Sequence, residues 1–412
     1  MNIYLCIIIG ALLLEFFLFS LSRRLDLQNI STSLPNAFKG YYSANEYARS
    51  QDYLAENTRF SYLTSTVDLI IILIVIFLGI FNNVDVWLRD FGFSPMVTGL
   101  LFFGVLFLFQ DIISTPFSLY RTFLIEQNFG FNKTTPKTYL VDKLKSYFLL
   151  ILLGGFTLFL ILIFFHKFGD YAWLYAWAAL SVLLVLAQPL FTSVIAPMFN
   201  KFTPLEDGEL KNKINALAEK VNFPISRIDV MDGSRRSSKA NAYFSGLGKN
   251  KRIALFDTLI EKHSVDELVS IIAHEVGHYK KRHNIKGIIM GVVQTGIMFY
   301  LLSLFINNEA LFAAFKMENV SIYASLLFFS ILYSPIELIM SFLGNAISRK
   351  HEFEADAFAK TSIGTGKDLI EGLKKLTVTN LGNLTPHKLT VWLSYSHPPV
   401  LSRIKALDNM GK

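Results

Sequence analysis

The sequence predicts an α-helical multispan membrane protein, seven transmembrane helices with a small α+β domain set among them, and three observations carry that prediction. Of 412 residues, 52% are hydrophobic and 14% aromatic while only 17% are charged, a balance foreign to soluble enzymes. Seven apolar stretches approach or exceed the roughly 20 residues that a bilayer core demands of a helix. Between the fifth and the sixth, hydropathy falls and the alternation and turn residues of a folded domain take over.

The stretches run over about 3 to 21, 65 to 82, 97 to 118, 146 to 165, 172 to 196, 285 to 306 and 321 to 343. No Lys or Arg precedes the first, and Arg23 and Arg24 follow it, so it reads as a retained anchor with its N-terminus outside. Further cations gather in alternate connections: Lys39, Arg49 and Arg59 after span one, then Arg121, Lys133, Lys137, Lys143 and Lys145 after span three. The intervening connections hold Arg89, Lys167 and Lys316, one each. This asymmetry places the odd-numbered loops and the C-terminal tail in the cytoplasm. The net charge of +7 therefore reports topology, and no basic patch with interleaved aromatics argues for nucleic acid. Residues 22 to 64 read as a polar, aromatic loop. Glu15, Asp68, Gln110, Asp111 and Glu337 fall in or beside the spans, where such groups face a bundle interior or a watery cavity unless they snorkel from a helix end. The single Cys6 forms neither an internal disulfide nor a cysteine-rich metal cluster.

The chain divides into residues 1–200 with spans one to five, a domain over 201–284, spans six and seven over 285–346, and a C-terminal segment over 347–412. Within the domain the pattern predicts a helix near Glu209 to Val221 and a strand near Arg227 to Met231. A hairpin follows, pairing Lys239 to Gly246 with Lys251 to Phe256 across a Gly-Leu-Gly-Lys-Asn turn. An edge strand there would align an extended peptide, although plain sheet packing accounts equally well for the alternation.

The domain ends in His274-Glu275-Val276-Gly277-His278. HExxH on a helix presents two imidazoles to one metal, one turn apart, with Glu275 beside them as a candidate general base. Ser264 and Glu267 form a capping box ahead of an apolar run, so the helix is predicted over about Ser264 to His283. A catalytic zinc takes three protein ligands and leaves a position for water. The metzincin extension is excluded, because Lys281 and Asn284 stand where Gly and His would be needed. His283 lies about 140° round a continuous helix from His278 and should point away, as an interfacial residue. Among the acidic residues of Ser348 to Asp356, Glu352 and Asp356 share a helix face while Glu354 points elsewhere. Glu352 is the candidate third ligand and Asp356 the acceptor that fixes the tautomer of a ligand histidine. A solvated acidic face, or His351 as ligand, remains an alternative on spacing alone.

The landmarks together are specific: Glu126 to Lys133, Ala196 to Leu205, Asn241 to Gly246, His274 to His278, Ser348 to Asp356 and Ser396-His397-Pro398-Pro399. In this order, over nearly the whole chain, they resemble the type I CAAX prenyl proteases, integral-membrane zinc metallopeptidases related to heat-shock-type quality-control proteases. The resemblance implies one catalytic Zn2+ on His274, His278 and Glu352, a zincin-like domain closing a large water-filled chamber within the seven helices, and a substrate-aligning strand containing Asn241, Ala242, Tyr243 and Phe244. It also implies that His397 and Arg403 hold the scissile region or stabilise its oxyanion. The expected partners are the lipid bilayer and a peptide or protein substrate, C-terminally lipidated in that family. The expected location is a multi-pass position in the bacterial inner membrane by preference, or the endoplasmic reticulum in a eukaryote, with the zinc site cytoplasmic. Two rival readings are a quality-control endopeptidase acting on unlipidated substrates and a non-enzymatic seven-helix receptor or transporter.

Overall fold

The computed structural model describes residues 2–31, 33–245 and 252–410. Among the described residues, seven helices are long and apolar enough to cross a membrane: α1 (Ile3–Gln28), α2 (Ala44–Phe77), α3 (Pro95–Asn128), α4 (Pro136–Lys167), α5 (Gly169–Phe199), α8 (His283–Phe305) and α9 (Ile322–Ile363). The shorter helices include α6 (Glu209–Lys220), α7 (Val265–Lys280), α10 (Lys367–Thr379), α11 (Lys388–Ser394) and α12 (Val400–Asn409). At 42 residues, α9 is about 63 Å long at 1.5 Å per residue, twice the hydrocarbon thickness. Its apolar half matches the bilayer and its charged half continues into the small domain.

The same extension corrects the reading of residues 22 to 64 as a loop. Helix α1 continues to Gln28 and α2 starts at Ala44, where Ser43 and Glu46 form a capping box with backbone-to-side-chain bonds of 3.2 and 2.9 Å. Hydropathy registers only the lipid-matched part of such a helix, so its polar extension reads as loop. Phe38, Tyr42 and Tyr47 from this region are buried in one core with Ile214, Ile253, Leu255 and Ile272 of the domain.

Only 6–17% of each span's apolar window is buried, which fits helices that meet lipid on one side and open space on the other. The spans surround an intramembrane chamber. A cavity of about 740 Å³ within the bundle is lined by Glu15, Arg23, Asp68 and Gln110 among apolar residues. Asp111 instead pairs with Lys143 at 2.9 Å and accepts from the Tyr147 hydroxyl at 2.6 Å.

The domain sheet has strands β1 (Phe202–Pro204), β2 (Arg227–Met231), β3 (Ala242–Ser245) and β4 (Arg252–Phe256) in the order β1-β2-β4-β3. β2 and β4 run parallel, β1 and β3 antiparallel to their neighbours, and β3 stands at an edge. Its register pairs Ala242 with Leu255, Tyr243 with Ala254, Phe244 with Ile253 and Ser245 with Arg252. The predicted turn Gly246-Leu247-Gly248-Lys249-Asn250, with Lys251, lies outside the described residues.

Polar ties fix the sheet to the bundle. Lys239 Nζ donates to Glu126 Oε2 and to the Tyr53 hydroxyl, both at 2.8 Å, and Arg236 meets Asp142 through two bonds of 2.8 and 2.9 Å. Backbone bonds of 3.0 Å join Lys133 to Arg236 and Ser238 to Phe131. The Glu126 to Lys133 segment is therefore a docking surface that holds the approach to β3.

Candidate metal centre

Helix α7 begins at the Ser264 cap: the Glu267 amide donates to Ser264 Oγ at 3.3 Å and the Ser264 amide to Glu267 Oε2 at 3.0 Å. Leu268, Ile272, Ala273 and Val276 bury one face against the domain core. Gly277 lies against α9 so closely that a Cβ there would fall 3.0 Å from Ala355 Cα and 3.1 Å from its carbonyl oxygen. This close crossing brings the histidines of α7 to the carboxylates of α9.

His274 Nε2 and His278 Nε2 are 3.1 Å apart, Glu352 Oε1 is 3.1 Å from His278 Nε2, and Glu352 Oε2 is 3.4 Å from His274 Nε2. Donors about 2.0–2.1 Å from one tetrahedral zinc lie about 3.3 Å from one another, so this set fits such an ion. Glu352 Oε2 is buried and makes no hydrogen bond among the described residues, a polar atom that a cation would satisfy. Charge points the same way. Glu275, Glu352 and Asp356 bring three carboxylates to one guanidinium, that of Arg403. Burial opposes a charge on His274, yet Asp356 and Glu352 outweigh it and raise its pKa to about 9. Burial raises the Glu275 carboxyl, against the pull of His274 and His278.

The remaining candidates fall into distinct places. Asp356 Oδ1 stands 2.9 Å from His274 Nδ1, the arrangement expected of it. Arg403, on α12, is buried beneath the ligands, where its guanidinium bonds Asp356 and lies 3.3 Å from Glu352 Oε2. Its charge is directed at the Asp356 and Glu352 carboxylates, and it also lines the cleft. His397 is two-thirds exposed at the mouth, with Nε2 3.4 Å from Glu352 Oε1 and Nδ1 2.9 Å from Ser396 Oγ. Asn241 and Ala242 line the cleft of about 450 Å³ with Asn284 and the metal-site residues, while Leu259, Ile271, Leu369, Leu373 and Leu376 supply an apolar wall. Tyr243 turns its ring toward Phe191 of α5 and Phe256 of β4, with centroids 6.5 and 6.4 Å away, so its side chain packs between the sheet and the bundle. Phe244 takes part through its backbone register on the edge strand.

His283 requires a correction. Rather than pointing away to an interface, it is buried with Nδ1 3.0 Å from His278 Nδ1 and Nε2 3.0 Å from Glu354 Oε2. The reason is a break: α7 ends at Lys280, Arg282 takes a left-handed φ of 59°, and α8 starts afresh at His283. The 100° per residue count does not carry through that break. The cationic run Lys280 to Arg282 was the available signal, since basic residues gather at helix C-termini. Glu354 points away from Glu352 and Asp356 as expected, and His351 stacks on His283 at 3.9 Å rather than joining the ligands.

Comparison with known proteins bears on this geometry. Residues 24–201 match the family model described as CAAX prenyl protease N-terminal, five membrane helices, and residues 204–411 match peptidase family M48. The chain is 35% identical to a CAAX prenyl protease 1 homolog of Arabidopsis thaliana over 94% of each chain. It is 34% identical to CAAX prenyl protease 1 of Saccharomyces cerevisiae over 92% of this chain and 90% of that one. The crystal structure of S. mikatae Ste24p superposes with a TM-score of 0.91 at 34% identity, covering 99% of both chains. Matched along nearly its whole length and carrying an HExxH helix beside a glutamate from the distant α9, the chain belongs to the CAAX prenyl protease family of M48 membrane metallopeptidases.

Proposed function

We propose that this metallopeptidase uses zinc to hydrolyse a peptide bond near the C-terminus of prenylated proteins, on the cytoplasmic face of its membrane. The carrying observation is the convergence of His274, His278, Glu352 and Glu275 on one cleft beside the edge strand β3. When bound by the two histidines and Glu352, zinc supplies Lewis acidity to the attacking water and the scissile carbonyl. Glu275 takes the proton of that water on its carboxylate and delivers it to the leaving amine. The outer edge of β3, through the backbone near Asn241 to Phe244, pairs with the extended substrate. His397 opposes the negative charge that develops on the carbonyl oxygen. Arg403 keeps Asp356 and Glu352 in place beneath the ligands, and the leucine-rich wall favours an aliphatic side chain next to the scissile bond.

The lipid on the substrate is inferred from the names of the relatives and from an apolar chamber adjoining the bilayer. The cation-rich odd-numbered connections favour a cytoplasmic site, an orientation that suits a bacterial inner membrane or the endoplasmic reticulum. A farnesylated CAAX peptide and its unmodified counterpart, compared by kcat/KM, separate this reading from membrane quality control. A preference of at least about tenfold for the farnesylated peptide, worth 1.4 kcal/mol, supports it. Equal rates reassign the enzyme to unlipidated substrates.

A further inference from the structure

The two candidate histidine ligands are oriented by different devices. His274 Nδ1 lies 2.9 Å from Asp356, a direct histidine–carboxylate pair. His278 Nδ1 instead faces His283 Nδ1 at 3.0 Å, and His283 Nε2 in turn faces Glu354 Oε2 at 3.0 Å. Both carboxylates come from α9, two and four residues beyond Glu352. The ring of His351 lies parallel to that of His283, 11° from coplanar orientation at 3.9 Å, and fixes its plane.

We infer that His283 is a positioning residue for His278, and that Glu354 acts through it. The proton arrangement follows from one condition, and rests on the metal reading above. If His278 offers the Nε2 lone pair to a metal, its neutral ring carries the proton on Nδ1. That N–H donates to His283 Nδ1, which must then be the unprotonated nitrogen of its ring. His283 therefore carries its own proton on Nε2, where it donates to the Glu354 carboxylate. Every donor meets an acceptor, and the opposite assignment would place the His278 proton on the nitrogen aimed at Glu352 and His274. The carboxylate end of the chain also raises the basicity of the metal-facing nitrogen. The left-handed Arg282 has a purpose in this arrangement, since a continuous helix would carry His283 out of reach.

The test is zinc affinity by chelator competition on the full-length protein in detergent, with the visible spectrum of the Co2+-substituted form as a second readout. His283→Phe keeps the ring stack and removes both nitrogens, and is expected to weaken zinc binding about 10- to 100-fold and to alter the Co2+ spectrum. His283→Asn, which returns an acceptor near the Nδ1 position, should recover part of the loss. Glu354→Ala, on a partly exposed side chain, should fall at the lower end of the same range, and it serves the test if His283→Phe does not fold. Wild-type zinc affinity and Co2+ spectrum in folded His283→Phe, or unchanged affinity in Glu354→Ala, overturn the inference while leaving the metal reading intact. Failure of the wild type itself to bind zinc overturns both.

Discussion

Arg403 holds Asp356 with two parallel hydrogen bonds, Nε to Oδ2 at 2.9 Å and Nη2 to Oδ1 at 2.6 Å, in a site where both residues are buried. The pair links α12 to α9 beneath the candidate metal ligands, so the C-terminal segment is part of the site. Arg403→Ala removes the one guanidinium from the buried Asp356 and Glu352, leaving them only histidine partners, and is expected to cost about 3–5 kcal/mol of stability. Lysine cannot reproduce the fork and should restore little. Thermal unfolding of both variants in detergent checks this, and a near-wild-type Tm for Arg403→Ala contradicts it.

Asp356→Asn keeps the shape of the side chain but removes the charge facing His274 Nδ1. Zinc affinity is expected to fall about 10- to 100-fold, as for other carboxylates that orient ligand histidines. Competition with a graded series of chelators measures it.

Gly277 governs the distance between α7 and α9. A methyl group there meets the backbone of Ala355, which cannot rotate aside as a side-chain tip would. Gly277→Ala should therefore destabilise by about 1–3 kcal/mol through overpacking and spread the ligands, lowering zinc affinity with Tm. Added zinc should recover part of the lost Tm, because binding to the folded state stabilises it by mass action. Unchanged Tm and affinity would show that the crossing is looser than it stands here.

Legibility from sequence followed the range of the interactions. The α7 cap, the i,i+4 histidines and the Glu352/Asp356 face are local, and each is readable from spacing. The place of His283 is not legible because helix phase does not carry through the end that Arg282 imposes with a left-handed backbone. Residues 22 to 64 failed because hydropathy marks where a helix meets lipid and is blind to its polar continuation, although Ser43 and Glu46 offered a capping signal. The three-residue β1 is too short for periodicity to register. The strand order that leaves β3 at the edge depends on which strands pair across the domain, and the docking of Glu126 onto Lys239 on a contact over 100 residues apart in the chain. The place of Arg403 beneath the candidate ligands is of the same non-local kind: nothing in Ser-His-Pro-Pro-x-x-x-Arg indicates that the guanidinium turns inward to Asp356.

The central claim is that Glu275 is the base of a zinc peptidase, and Glu275→Gln tests it most directly when zinc content and peptide cleavage are measured on the same preparation. The glutamine keeps the volume and a hydrogen-bonding oxygen but cannot carry the water's proton. Zinc should stay near one ion per chain while turnover falls about 10²- to 10⁴-fold, the usual contribution of a general base. Wild-type turnover in the zinc-loaded variant would contradict the account.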